Sequence, residues 1–318
     1  MTRVACVGEC MIELKQAQVG LNGGLYSRGY GGDTLNTAVY LVRLGVDVDY
    51  ITALGKDSLS DEMIAGWEAE GVGTKQVKRI RDKLPGIYMI ETNAEGERRF
   101  FHWRESAAAR SLMDLPETDD ILDSLETYDV VYLSAITLSI YSAQGRAKLI
   151  GALHRARERG VRIIFDTNFR ARGWPDPNVA RAVFDEAFAA SDMVLASTED
   201  LLALYPCESD EQLMTRIDCT EAVLKLLKPG SIVRFEGVSQ EVRPEPVTQP
   251  VVDTTAAGDS FSAAYIAARL AGAEPVEAAR AGHRLAGVVV CHPGAIIPRS
   301  AMPGNTLPEP PSSRKASR

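Results

Sequence analysis

Short, nearly continuous apolar runs alternate along this chain with longer segments whose apolar residues recur every three or four positions. The runs at 4–7, 48–53, 130–133, 162–165, 193–196 and 231–235 predict strands. The segments at 34–44, 60–70, 142–159, 177–190, 210–217, 258–270 and 276–290 predict helices. Strands separated by helices of this length imply an α/β fold: a doubly wound, mostly parallel sheet with helices on both faces. Ligands of such sheets bind beyond the carboxyl ends of the strands. Those ends are polar here, reading Asp166-Thr167-Asn168-Phe169-Arg170 after one strand and Ser197-Thr198-Glu199-Asp200 after the next.

Two stretches break the alternation. Residues 87–92 and 98–103 read as strands joined by a turn at Asn93-Ala94-Glu95-Gly96, and residues 11–30 are also β-rich. Neither fits a βαβ unit. Together, from about 11–30 and 84–105, they predict a small β-sheet lid over the ligand end of one domain spanning 1–303. Residues 304–318, rich in Pro, Ser and basic groups, predict a disordered tail.

Composition narrows the chemistry. The 318 residues carry a net charge of -8, which argues against nucleic acid as a partner. An anionic substrate would gain nothing from long-range steering and must be held by local cations. Five cysteines, Cys6, Cys10, Cys207, Cys219 and Cys291, form no Cys-x-x-Cys pair and read as reduced thiols of a cytoplasmic protein. No apolar run is long enough to span a bilayer, and no signal-type segment opens the chain. The first strand runs into Gly8-Glu9-Cys10 rather than Gly-x-Gly-x-x-Gly, against a dinucleotide-dependent dehydrogenase.

Two glycine-bearing elements carry candidate chemistry. Asp253-Thr254-Thr255-Ala256-Ala257-Gly258-Asp259 leads into a predicted helix whose first turn has no bulky side chains. Bare amides and the positive end of the helix dipole make such a start an anion cradle. Asp259 beside it is placed to take a proton from a hydroxyl that attacks a bound phosphoryl group. Asp and Thr are equally ordinary helix caps. The earlier element, Gly29-Tyr30-Gly31-Gly32-Asp33-Thr34-Leu35-Asn36, lets backbone approach a ligand, with Asp33 and Asn36 facing vicinal hydroxyls. Alone, it reads better as a tight turn followed by an Asp or Thr cap.

The pairing of these two elements resembles the PfkB (ribokinase-like) family of carbohydrate kinases. Within that family the chain is most similar to enzymes acting on 2-keto-3-deoxygluconate. That narrower likeness rests on Gly8-Glu9-Cys10-Met11-Ile12-Glu13-Leu14, Leu84-Pro85-Gly86-Ile87-Tyr88, Gly96-Glu97-Arg98-Arg99-Phe100, Trp103-Arg104, Phe165 to Arg170, Arg284-Leu285-Ala286 and Gly294 to Pro298. The resemblance implies ATP and Mg2+, the metal being carried on the nucleotide phosphates with no direct protein ligand. It implies Asp259 as catalytic base and Ala256, Ala257 and Gly258 as the anion hole. Gly31, Gly32, Asp33, Asn36, Tyr88, His102, Trp103, Arg104 and Arg170 would contact substrate. Asn168, Ser197, Glu199, Lys225, Gly230, Ala256 and Gly258 would contact nucleotide. A homo-oligomer formed through the lid is expected, with no membrane partner.

A keto acid brings a carboxylate that a neutral sugar lacks, and Arg104 and Arg170 are the expected partners for it. A kinase of a neutral sugar, and a sugar-acid-binding regulator without turnover, remain open. The chain also departs from the family pattern. Ala196 stands where many relatives have asparagine, Leu226-Leu227-Lys228-Pro229-Gly230 lacks the first glycine of a Gly-x-x-Gly turn, His102 replaces a tyrosine, and Ala256 replaces a glycine.

Overall fold

The computed structural model describes residues 2–20, 23–92, 98–206, 208–304 and 306–307. The turn expected at Asn93-Ala94-Glu95-Gly96, Cys207 and the tail from 308 onward lie outside these residues.

A nine-stranded sheet is built from β1 (Arg3–Val7), β4 (Asp47–Gly55), β5 (Val77–Ile80), β8 (Val130–Ser134), β9 (Arg162–Asp166), β10 (Met193–Ser197), β11 (Glu221–Lys225), β12 (Ser231–Phe235) and β13 (Val238–Val242). Its order is β13-β12-β11-β10-β9-β8-β1-β4-β5, parallel throughout except for the pairings of β12 and β13. From β1 the chain builds outward to β4 and β5 on one side. It then returns to the other side of β1 with β8 and continues to β11. That reversal between β1 and β8 is where an open α/β sheet leaves a crevice beyond its strand ends.

Helices cover both faces, as the doubly wound pattern requires. One core packs α1 (Asp33–Arg43), α2 (Ser58–Glu70), α9 (Ala257–Leu270) and α10 (Pro275–Val289) on the sheet. The other packs α3 (Thr118–Ser124), α4 (Ala135–Ile140), α5 (Ala143–Glu158), α6 (Pro177–Ala190), α7 (Thr198–Leu204) and α8 (Asp210–Arg216). In the second core Phe184 meets Phe165, Phe169, Trp174 and Phe188 edge to face, with centroids 5.6 to 6.2 Å apart. Phe169 and Trp174 thereby anchor both ends of the segment that carries Arg170 and Arg172. Edge-to-face ring pairs add about 0.5–1.5 kcal/mol each beyond their buried area.

The lid is a separate four-stranded sheet, β3-β2-β6-β7, from β2 (Met11–Gly20), β3 (Gly23–Gly31), β6 (Ile87–Thr92) and β7 (Arg98–Trp103). β2 pairs parallel with β6, and two antiparallel pairings complete it. Only Gly8, Glu9 and Cys10 separate β1 from β2, so the lid grows out of the central strand.

The disorder expected from residue 304 does not begin there. Thr306 is buried, Arg284 donates to its carbonyl at 2.9 Å, and Leu307 packs on the core. Among the described residues no helix is long and apolar enough to cross a membrane.

Candidate active site

The two glycine-bearing elements meet at the crevice. α1 and α9 start side by side, and Asn36 Nδ2 donates to Asp259 Oδ2 at 2.8 Å. Thr37 Oγ1, one residue on, donates to the Asp259 carbonyl at 3.4 Å. Asn36 is buried, and among the described residues its Oδ1 has no hydrogen-bond partner. A buried acceptor left open beside a carboxylate is what a substrate hydroxyl would satisfy.

Asp259 sits in the first turn of α9, half-buried, and its pKa is pushed up to about 7. Desolvation is the main cause, followed by the charge of Asp33. The Asn36 hydrogen bond and the Lys225 charge oppose the rise, and Asp166 adds to it. Removal from water and like-charge repulsion both favour the protonated form.

No side chain caps α9. Its N-cap is Ala256 with φ 59°, a left-handed conformation that costs a residue with a Cβ about 1–2 kcal/mol. Lys225, at the end of β11, reaches the cradle from the side. Its Nζ lies 3.2 Å from Asp166 Oδ2 and 3.4 Å from Ser262 Oγ, and 3.7 Å from where a side chain on Gly258 would begin. An ammonium and uncapped amides on one small surface fit a phosphate group.

On the sugar side, Gly32 and Gly31 are held by their surroundings. A Cβ at Gly32 would overlap the Glu9 carbonyl, and one at Gly31 would overlap the Tyr88 hydroxyl. Tyr88 donates to Glu13 Oε2 at 2.6 Å and stacks on His102, with centroids 6.1 Å apart. Asp33 is buried and accepts from Asn168 Nδ2 at 2.9 Å. Its pKa is raised, chiefly by desolvation. Asn168 thus bridges toward the sugar end as well as the nucleotide end expected of it.

Other expected residues stand differently. Trp103 is 56% exposed and, one position along β7 from His102, points to the opposite face of the lid. It does not share a wall with Tyr88. Arg104 is paired with the buried Glu9 through Nη2, not held open, and its buried Nε has no partner among the described residues. Arg170 is exposed and faces Asp200 Oδ1 at 3.4 Å. Ser197 spends its hydroxyl capping α7 by accepting from the Asp200 amide at 3.1 Å. Glu199 is exposed in the first turn of that helix. Gly230 closes the turn after β11, accepting from the Leu226 amide at 3.0 Å, with φ 149°.

Sequence reasoning gave no role to Asp166, which accepts from Lys225 and, at 2.7 Å, from Ser262 Oγ. A lone carboxylate at the carboxyl end of a buried strand was the available signal. Nor did it single out Glu9 as the Arg104 partner, or Arg172, whose Nη1 lies 3.2 Å from His102 Nδ1.

Residues 1–302 match the pfkB family carbohydrate kinase profile. The 2-dehydro-3-deoxygluconokinase of Dickeya dadantii is 41% identical over 309 residues, covering 94% of this chain and 98% of that one. That of Escherichia coli K12 is 39% identical over 310 residues, covering 95% and 99%. Among solved structures, the 2-dehydro-3-deoxygluconokinase of Thermotoga maritima superposes with a TM-score of 0.80 at 22% identity, covering 93% of this chain and 96% of that one. The fructokinase of Xylella fastidiosa with bound ATP gives 0.79 at 21% identity, covering 95% of each. At those identities the structures speak for the fold alone. The family profile and the near-full-length sequence matches place this chain in the PfkB family of carbohydrate kinases.

Proposed function

We propose that the protein phosphorylates 2-keto-3-deoxygluconate to 2-keto-3-deoxy-6-phosphogluconate with ATP as donor. The observation that carries the phosphotransfer is Asp259, raised to about 7, at the uncapped start of α9 with Lys225 beside it. The substrate assignment is supported by near-full-length similarity to the Dickeya and E. coli enzymes of that name.

Asn36 holds the Asp259 carboxylate toward the sugar, where it accepts the proton of the terminal hydroxyl. The oxygen so freed attacks the γ-phosphorus, and the bond from that phosphorus to the leaving ADP oxygen breaks. Charge on the transferring group is taken up by the amides at 256–259 and by the Lys225 ammonium. Asp33, Gly31, Gly32 and Tyr88 line the sugar, while Asn168, Ser197, Glu199 and Gly230 stand on the nucleotide side.

Mg2+ belongs to this reading as an ion carried on the nucleotide phosphates, since it dehydrates reluctantly, keeps several waters and seldom sits in an all-protein cage. We place the protein in the cytoplasm, where ATP is available and thiols such as the free Cys6 and Cys10 stay reduced. Exposed Leu25, Tyr26, Phe100 and Trp103 on the lid support a homo-oligomer formed through that sheet.

The pairing of Arg104 with Glu9 and of Arg170 with Asp200 favours the alternative of a neutral-sugar kinase. An ATP-to-ADP coupled assay across hexonate-derived keto acids and neutral sugars decides between them. The keto acid should give the highest kcat/KM, and a neutral sugar turning over far better would overturn the assignment.

A further inference from the structure

Two charges that take no part in the proposed steps meet between the lid and the body of the protein. Lys15 on β2 places its ammonium 3.5 Å from Asp253 Oδ2, a contact between residues 238 positions apart. Asp253 lies just ahead of the start of α9, and its side chain is 2% exposed. It also folds the approach to the anion cradle. Its Oδ1 accepts from the Thr255 amide at 3.0 Å and from Thr255 Oγ1 at 2.6 Å, while its Oδ2 accepts from the Gly294 amide at 2.9 Å. The left-handed Ala256 follows directly.

A carboxylate fixed in that place works against phosphate. Buried charges are weakly screened and act across several ångströms, so Asp253 opposes an anion entering the cradle. Lys225 reaches the cradle from the sheet and is already shared with Asp166. The Lys15 ammonium offsets the Asp253 charge from the lid. Its placement follows from the strand, because side chains two apart share a face. Lys15 therefore stands with Glu13, which accepts from Tyr88 on the neighbouring β6. The β2–β3 register shifts between Gln16 and Gln18, immediately beyond Lys15. Such a bulge bends a strand and re-aims its side chains. One face of the lid thus carries both the wall beside Gly31 and the ammonium at Asp253.

We infer that Lys15 is a positioning residue for phosphoryl transfer: it neutralises and steadies Asp253, so that the 256–259 cradle accepts a γ-phosphate fully only with the lid strand in place. This rests on the phosphotransfer reading given above and holds whichever sugar accepts the phosphate. The Lys15 side chain is 33% exposed, which leaves solvent cations a way to the position of its ammonium.

The test compares the full-length wild type with Lys15→Met, Lys15→Arg and Arg28→Met. The last breaks another tie between lid and body, the exposed pair of Arg28 with Glu62 on α2. Calorimetry reads the binding of ADP and of a non-hydrolysable ATP analogue, each with Mg2+, and the coupled assay reads turnover. Lys15→Met should weaken the analogue about tenfold and ADP less than about twofold, because only the analogue brings a γ-phosphate to the cradle. Its kcat should fall about 10- to 100-fold, with KM for the sugar substrate within about threefold of wild type. Lys15→Arg should keep most of the activity. Added ethylammonium should restore part of it to Lys15→Met without stimulating wild type. Arg28→Met should behave as wild type. The assignment is overturned, with the enzyme's function intact, by an unchanged Lys15→Met, by equal weakening of ADP and analogue, or by a loss confined to KM for the sugar. The same losses in Arg28→Met, or no recovery with either arginine or ethylammonium, overturn it as well. A wild-type protein that transfers phosphate to no sugar or sugar acid overturns both readings.

Discussion

Asn36 on α1 holds Asp259 on α9 by a 2.8 Å hydrogen bond across 223 positions of sequence. On the proposed function, the base is thereby oriented by the element that follows the glycines expected to contact the sugar, which would register hydroxyl and base to each other. Asp259→Asn keeps the shape and removes the proton acceptor. Turnover should fall about 10²–10⁴-fold with KM for both substrates little changed, as read by the coupled assay. Near-normal kcat would remove Asp259 from the mechanism.

The position of that base on the pH scale gives a second expectation. With a pKa raised to about 7, kcat/KM should rise with pH up to about 7 and then level off. Stability should run the other way. In the unfolded chain an aspartate titrates near 3.9, so between that value and about 7 the native state holds a proton that the unfolded state has lost. Folding stability from this group is therefore lost as pH rises through that window. Asp259→Asn should be more stable than wild type above pH 7, by roughly 2–4 °C in Tm for each kcal/mol of charge burial relieved, and the gain should vanish near pH 4. Thermal melts of both proteins at pH 4 and pH 8 read this directly.

Lys225 pairs with the buried Asp166 and, on the proposed function, also faces phosphate. Lys225→Met should raise KM for ATP and depress kcat. It should also destabilise the fold by about 3–5 kcal/mol, because Asp166, 5% exposed, would be left as an unpaired charge. The double variant Lys225→Met/Asp166→Asn should regain much of the stability and none of the activity. Denaturant unfolding together with the coupled assay separates the two effects.

Ala256 holds a left-handed conformation at the N-cap of α9 that glycine adopts without strain. Ala256→Gly should stabilise by up to about 1 kcal/mol after the extra freedom of the unfolded glycine is discounted, with kcat retained. Ala256→Val should lose more than alanine does, since a branched side chain tolerates positive φ less well. A destabilised Ala256→Gly protein would mean that the methyl group contributes packing not apparent from the backbone.

Much of the architecture was legible because the signals were strong. The helices 177–190 and 258–270 carry clear periodicity, and the central strands β1, β8, β9 and β10 are apolar runs buried on both faces. The strand β11 was not seen: its apolar core is only Ala222, Val223 and Leu224, flanked by charges. The flanking Glu221 looks like a surface residue, yet it is buried because Tyr265 and Arg269 bind its carboxylate. β5 and β13 are short and largely polar, without the alternation that marks a half-buried strand.

At the site, glycine spacing and the resemblance located both halves of the cleft, but side-chain pairing lay beyond them. That Arg104 would meet Glu9 depends on β7 being folded back over the β1–β2 junction, a contact between residues 95 positions apart. The same limit hid the burial of Thr306, whose neighbours in sequence suggest exposed chain while Arg284 on α10 ties it down.

The three-residue junction of Gly8, Glu9 and Cys10 makes the lid a mechanical lever. Its fulcrum is the Glu9 peptide, packed against Gly32, and the near end of β7 is gripped through Arg104 by the carboxylate of that same residue. Tilting the β cover must therefore turn the very bond on which the sugar-side glycine rests. An extra residue spliced in at this elbow should leave both sheets intact but let one move without the other.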